Sequence, residues 1–257
     1  MFQLSHHTIV IFSRCPMQYR FYTTPEIRKR YRKERPFLTL GENIHDTLNS
    51  FYKDFAPGDR TLANLEHLFR EKWKRNRRGF SSLDEEREWG MEGLRQLRNF
   101  YLGFDVTKDP YLLPETYCSI ELANAVSLSG RIDRIDHEPE GLHIVDYKTG
   151  SPLEDSVGVV TDDDCLQLKL YTLIIQQSHP DIPVVKASYF FLKKGEFRSI
   201  YPTDDMLEET RSRAIGIAEQ MKNQREFVPR MNALCAWCDY LEICPIKEKI
   251  KNRQERR

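Results

Sequence analysis

Three residues carry the chemistry most directly readable from this chain. They are Asp133, in Gly130-Arg131-Ile132-Asp133-Arg134-Ile135-Asp136, and Asp146 with Lys148, in Ile144-Val145-Asp146-Tyr147-Lys148-Thr149-Gly150. If the chain reverses around Pro139-Glu140-Gly141, residues whose numbers sum to 279 face one another, so Asp133 stands opposite Asp146. Side chains two apart on a strand share a face, which brings Lys148 to the same side and sends Asp136 to the other. Two carboxylates that close repel each other, and a divalent cation with hard oxygen ligands, Mg2+ or Mn2+, relieves the repulsion. Such an ion acidifies a bound water and neutralises charge on a phosphate oxygen, while Lys148 orients the water or meets the developing charge. The competing reading is a surface hairpin with cross-strand ion pairs, against which the apolar neighbours Ile132, Ile144 and Val145 weigh.

The elements that must position these residues follow from periodicity. Leu40, Ile44, Leu48 and Phe51 or Tyr52 recur at helical spacing, as do apolar residues over Leu62 to Trp73 and Trp89 to Phe104, so the first hundred residues read as helical. From Tyr117 the texture becomes strand-like: Tyr117 to Leu122, Val126 to Asp136 and Leu142 to Tyr147 form a β-meander. A helix over Cys165 to Gln176, strands near Val184 to Leu192 and Phe197 to Tyr201, and a helix over Asp204 to Lys222 complete the order. The predicted class is α/β, with a mixed central sheet flanked by helices and a helical N-terminal region.

The order GxxD, then DxK, then QxxxY is reproduced by Asp133, Asp146, Lys148, Gln167 and Tyr171, and it resembles the RecB-type branch of the PD-(D/E)xK nucleases. The resemblance implies a restriction-endonuclease-like core and metal-dependent hydrolysis of DNA, commonly from ends or on single strands, in recombination, repair or CRISPR adaptation; the alternative is a non-catalytic module that keeps the fold to bind DNA or a protein partner, against which the complete motif set weighs. Gly41-Glu42-Asn43-Ile44-His45 matches that family's upstream GxxxH, which implies His45, Asp133, Asp146 and the Tyr147 backbone carbonyl as metal ligands. Gln167 and Tyr171 lie one helical turn apart and share a face. By resemblance they position substrate or Lys148. Glu121 either adds an acid to the site or pairs with an arginine, and His6, His7, His137 and His143 are read as structural or exposed.

Near the C-terminus Cys235, Cys238 and Cys244 form C-x2-C-x5-C, and Cys15 alone shares the Cys-Pro context of Cys244. Four thiolates suit zinc or an iron-sulfur cluster, and spacing does not choose. Resemblance to AddB-type nuclease domains and a CRISPR spacer-acquisition nuclease implies a 4Fe-4S cluster that staples the two ends of the chain. Cys118 and Cys165 are read as small buried hydrophobes.

With 257 residues and 40% hydrophobic composition the chain can bury a sizeable core. We expect a single nuclease domain, with a helical region over 38–104, a core over 115–223 and the cluster region 235–244 joined to Cys15. No GxxxxGK loop is present, so a helicase or CRISPR integrase partner is expected to be a separate chain. No run of about 20 apolar residues and no signal-peptide block occurs, which points to the cytoplasm. The 39 basic and 39 acidic residues cancel, so a DNA partner must be argued from local patches. Arg28 to Arg35 and Lys72 to Arg78 are two such patches, each either a phosphate contact or a solvated face.

Overall fold

The computed structural model describes residues 1–112, 115–150 and 165–254. It contains two compact units, one built from Met1–Lys33, Glu121–Ser127 and Arg213–Arg257, the other from Glu34–Ile120 and Leu128–Ser212. The first unit holds β1 (Phe2–Leu4), α1 (His6–Arg14), α2 (Pro16–Thr23), α3 (Pro25–Tyr31), the end of α8 (Asp204–Asn223) and α9 (Lys247–Gln254). Two 3-10 turns, Ala233–Trp237 and Leu241–Ile243, carry Cys235 and end at Cys238 and Cys244. β1 was not foreseen: three residues are too short for a periodic signal, and the strand forms by pairing, with Phe2 N–H donating to the Ala125 carbonyl at 2.9 Å.

The second unit starts with α4 (Pro36–Asp54), α5 (Leu62–Arg75) and α6 (Leu83–Gly103). Pro36 stands at the first position of α4, where its missing N–H costs nothing, and the Ser82 side chain caps α6 by accepting from Glu85 N–H at 3.1 Å. Then come β2 (Thr116–Leu122), β3 (Val126–Ile132), β4 (Arg134–Glu138), β5 (Gly141–Lys148), α7 (Leu166–Ser178), β6 (Val184–Phe191) and β7 (Glu196–Ile200). The fold is α/β, with mixed sheets flanked by helices, as a restriction-endonuclease-like core requires.

The meander expected from Tyr117 onward is corrected at one point. Val126 to Asp136 is not one strand, because the chain bends at Asp133, and β3 and β4 enter different sheets, ordered β1-β3-β2 and β4-β5-β6-β7. The predicted hairpin register holds: Arg134 pairs with Val145, Ile135 with Ile144 and Glu138 with Gly141. β6 joins β5 in parallel and β7 closes antiparallel on β6. β5 is buried along nearly its whole length, as expected of a strand covered on both faces.

The core of this unit explains the helix phases. Leu40, Ile44, Leu48 and Phe51 of α4 pack with Phe69, Leu97, Phe100, Val145, Tyr147 and Phe190, all nearly inaccessible. Among the described residues no helix is long and apolar enough to cross a membrane.

A buried polar chain crosses the sheet: His143 Nε2 lies 2.7 Å from Ser188 Oγ, which lies 2.8 Å from Ser199 Oγ. Burial, reinforced by Lys186 and opposed by Glu138, pushes the His143 imidazole down to about 4. An imidazole held neutral in the fold but free to protonate when unfolded adds stability above the unfolded value near 6.5, lost as pH falls toward 4. Between pH 7 and pH 5 the unfolding free energy of the parent is therefore expected to drop by about 2 kcal/mol more than that of His143→Gln. Urea titrations at both pH values check this, and parallel losses in the two proteins would contradict it.

Candidate active site

Four elements of the second unit bring the predicted residues together. α4 buries Ile44, and the next residue, His45, emerges at the edge of that apolar face. The bend that ends β3 turns the Asp133 carboxylate inward, where it is buried. Asp133 does not continue the β4–β5 ladder. Its Oδ2 accepts the Tyr147 N–H at 2.8 Å, and its Oδ1 lies 3.1 Å from His45 Nδ1. The bend thus frees a carboxylate from the strand pattern and anchors it on β5 beside the imidazole.

On β5, Asp146 and Lys148 share a face as the strand period demands, with Lys148 Nζ 2.6 Å from Asp146 Oδ2. α7 supplies the third side. Gln167 accepts from Lys148 Nζ at 2.7 Å and donates to Asp146 Oδ1 at 2.9 Å and to the Tyr171 hydroxyl at 2.9 Å. One amide therefore fixes Lys148, Asp146 and Tyr171, a network that spacing could suggest only as a shared helix face. The Lys148 ammonium also lies 4.7 Å from the centre of the Tyr189 ring.

The electrostatics are those of an anion cluster short of positive charge. Burial pushes the Asp146 carboxyl up to about 6, with Lys148 opposing and Asp133 adding to the rise. His45 moves the other way from a buried imidazole: burial pulls it down, yet the charge and hydrogen bond of Asp133, with Asp146 and Glu115, carry it up to about 9. Burial likewise raises Glu115. The carboxylates draw a proton onto the imidazole, which then stands where a metal cation would serve better.

Glu115 was missed by the sequence. His45, Glu115 and Asp133 offer ligand atoms all within 4.8 Å of one another, a nitrogen and oxygen set suited to Mg2+ or Mn2+. Glu115 precedes β2 in a turn with φ at 58°, a left-handed conformation unfavourable for glutamate, so the local fold holds it there. No periodic pattern marks such a residue. An acid just ahead of a strand was the available signal, and the one weighed, Glu121, has an exposed side chain. His45 and Glu115 open on a polar groove of about 550 Å3 whose walls also carry Arg75, Arg78 and Arg131.

The motif glycine has a steric reason. A Cβ on Gly130 would lie 2.5 Å from Cε1 of the Tyr171 ring, so only glycine lets α7 approach β3 here. Gly130→Ala is expected to lower stability by about 1–3 kcal/mol and to displace Tyr171. Thermal unfolding with near-ultraviolet circular dichroism checks it; an unchanged melting temperature and spectrum would contradict it.

The first unit gathers the other predicted set. Cys15, between α1 and α2, lines one largely apolar cavity with Cys235, Cys238 and Cys244. Each sulfur accepts a main-chain N–H: Arg230 to Cys15 at 3.4 Å, Asn232 to Cys235 at 3.3 Å, Tyr240 to Cys238 and Ile246 to Cys244. Burial first, and the neighbouring sulfurs Cys15 and Cys235 after it, push the Cys238 and Cys244 thiols up. Four clustered sulfurs with donors on each fit a bound metal group that would hold them as thiolates. Cys165 is buried as expected, and Cys118 only half so.

A family model of the PD-(D/E)XK nuclease superfamily matches residues 3–245. The chain belongs to this superfamily. Nucleases of this kind usually work with divalent metals, in keeping with the His45, Glu115 and Asp133 donor set. The nuclease fold recurs in a solved structure named "Putative exonuclease" from Eubacterium rectale, at 14% identity and TM-score 0.57, covering 93% of this chain and 87% of that one. The solved structure of SSO0001 aligns at 15% identity and TM-score 0.47, over 96% of this nuclease and 88% of that chain. No curated protein sequence matches the chain.

Proposed function

We propose that the chain is a Mg2+- or Mn2+-dependent DNA exonuclease of the RecB-type branch, stapled by a 4Fe-4S cluster. The observation that carries the reading is the convergence of His45, Asp133, Asp146 and Lys148, with one Gln167 amide bonded to both Asp146 and Lys148. His45, Asp133, Asp146 and the Tyr147 carbonyl would hold the cation, and Glu115 would add an oxygen. A bound divalent cation supplies an acidified water and neutralises phosphate charge.

The chain's own groups do the rest. Lys148, fixed by Asp146 and Gln167, presents its ammonium to the attacking water or to the charge growing on the phosphate oxygens as the water oxygen bonds phosphorus and the ester bond breaks. Gln167 holds Lys148 in place, and Tyr171, bonded to Gln167, limits the amide to one orientation. Arg131, on the groove wall, pairs with Glu115 at 3.7 Å and steadies that carboxylate.

We read the chain as one nuclease domain, with the helical region over 38–104, the core over 115–223 and the cluster region 235–244 tied to Cys15. The chain passes between the two units after Lys33, Ile120, Ser127 and Ser212, which favours a single folding entity. The Eubacterium rectale neighbour, named for exonuclease activity, supports attack from ends. A helicase or CRISPR integrase would then be a separate partner chain. The test uses linear and closed-circular DNA, single- and double-stranded, labelled at either end. Linear substrate should be consumed with Mg2+ or Mn2+ and spared with EDTA, while circles persist. Intact linear DNA under every metal condition would refute the reading.

A further inference from the structure

The net charge of zero conceals a division. The unit of Met1–Lys33, Glu121–Ser127 and Arg213–Arg257 carries 17 Lys and Arg against 8 Asp and Glu, a surplus of nine positive charges. The other unit carries 22 against 31 and is negative by the same amount. The unit with the metal ligands therefore repels a polyanion overall, and the cysteine unit attracts one.

Within the cysteine unit two segments are rich in positive charge: α9 carries Lys247, Lys249, Lys251 and Arg253, and α3 with the two residues after it carries Arg28, Lys29, Arg30, Arg32 and Lys33. Arg28, Lys29 and Arg30 are exposed, and among the described residues no carboxylate lies within ion-pair distance of any of them. Arg28 packs its guanidinium 4.7 Å from the Tyr22 ring centre and Arg30 lies 5.5 Å from that of Tyr31, contacts that favour ordered side chains. Lys33 extends the row with only a 4.0 Å contact to Glu242. In the basic run at the end of α5, Lys72 to Arg78, three of the five cations are paired. Lys74 is paired with Glu71 at 2.6 Å, Arg77 with Glu86 at 3.6 Å, and Arg78 with Glu34 at 3.2 Å and Glu42 at 3.5 Å. Cations already neutralised gain little from a phosphate, whereas unneutralised ones release counterions when one binds.

We infer that the exposed face of α3, with Arg28, Lys29 and Arg30, is a docking surface for the nucleic-acid phosphate backbone, carried by the unit that does not hold the cutting site. This rests on the nuclease reading of the other unit. The occupant is nucleic acid and not a lipid surface, because α3 exposes no large apolar side chain to enter a bilayer.

The test uses the intact protein with its metal group in place and a fluorescent single-stranded oligonucleotide in EDTA, titrated from 50 to 200 mM KCl. The triple variant Arg28→Gln, Lys29→Gln, Arg30→Gln should lower the slope of log affinity against log salt by about two and raise Kd at least about tenfold at low salt. Lys74→Gln, Arg77→Gln, Arg98→Gln removes three charges from paired positions, Arg98 being bonded to Glu66 at 2.6 Å, and should leave the slope unchanged. Should the α3 triple variant lose iron, Lys29→Gln alone is expected to lower the slope by about one. Equal slopes for parent and α3 variants overturn this placement and leave the nuclease reading standing. A parent that binds no oligonucleotide overturns both. Loss of binding to phosphatidylserine vesicles with unchanged oligonucleotide binding would make α3 a membrane face and overturn the inference.

Discussion

Asp146→Asn is expected to lower metal-dependent DNA hydrolysis by at least about 10³-fold while leaving the fold intact. Asn keeps the size of the side chain and can still accept from Gln167, so the change removes the charge and with it the ion pair to Lys148. That charge is what the site needs and what the fold tolerates least. Burial already pushes the Asp146 carboxyl up to about 6. Neutralising it should therefore keep or raise the melting temperature measured in EDTA, while cation binding by calorimetry is lost. Loss of activity together with unfolding would show that Asp146 is structural, and more than a tenth of parental activity would remove it from the site.

Cys238→Ser is expected to abolish iron binding and to expose the segment after α8 to trypsin. A parent carrying a cluster should contain about four irons per molecule and be brown when handled without oxygen. A serine hydroxyl is far less acidic than a thiol and a much poorer ligand for iron, so the remaining three sulfurs and their N–H donors hold the group weakly. Cys15 and Cys235 are about 220 residues apart in sequence, and joining such distant points can stabilise by up to about 5 kcal/mol. The two turns that carry the late cysteines are short 3-10 segments without a buried residue in either, so little else holds them. Iron analysis with limited proteolysis checks this. A colourless parent containing zinc would replace the cluster with a zinc site, and equal digestion of parent and variant would remove the staple.

How much of this was legible depends on what kind of signal each residue sends. The hairpin register was legible because a Pro-Glu-Gly turn fixes the reversal between two strand-like runs, and the observed pairing of Ile135 with Ile144 follows it. His45 was legible only through the order of motifs, since nothing local distinguishes it from any histidine on an amphipathic helix. The bend at Asp133 was not legible. Ile132-Asp133-Arg134 reads as continuous strand, and the break arises from tertiary bonds, Asp133 to Tyr147 N–H and to His45, that no short window contains. Glu115 escaped for the same reason, being placed by a turn and not by a period. Gln167 was visible as a helical neighbour of Tyr171, but its double contact with Asp146 and Lys148 requires α7 to lie against β5, which is a property of the packed fold.

The most direct test of the account is a crystal soaked with Mn2+, with the anomalous signal of manganese mapped. One peak is predicted at about 2.0–2.3 Å from a His45 ring nitrogen and from carboxylate oxygens of Asp133 and Asp146. A map with no peak there, or with manganese bound elsewhere while these side chains stay paired with one another, would contradict the account.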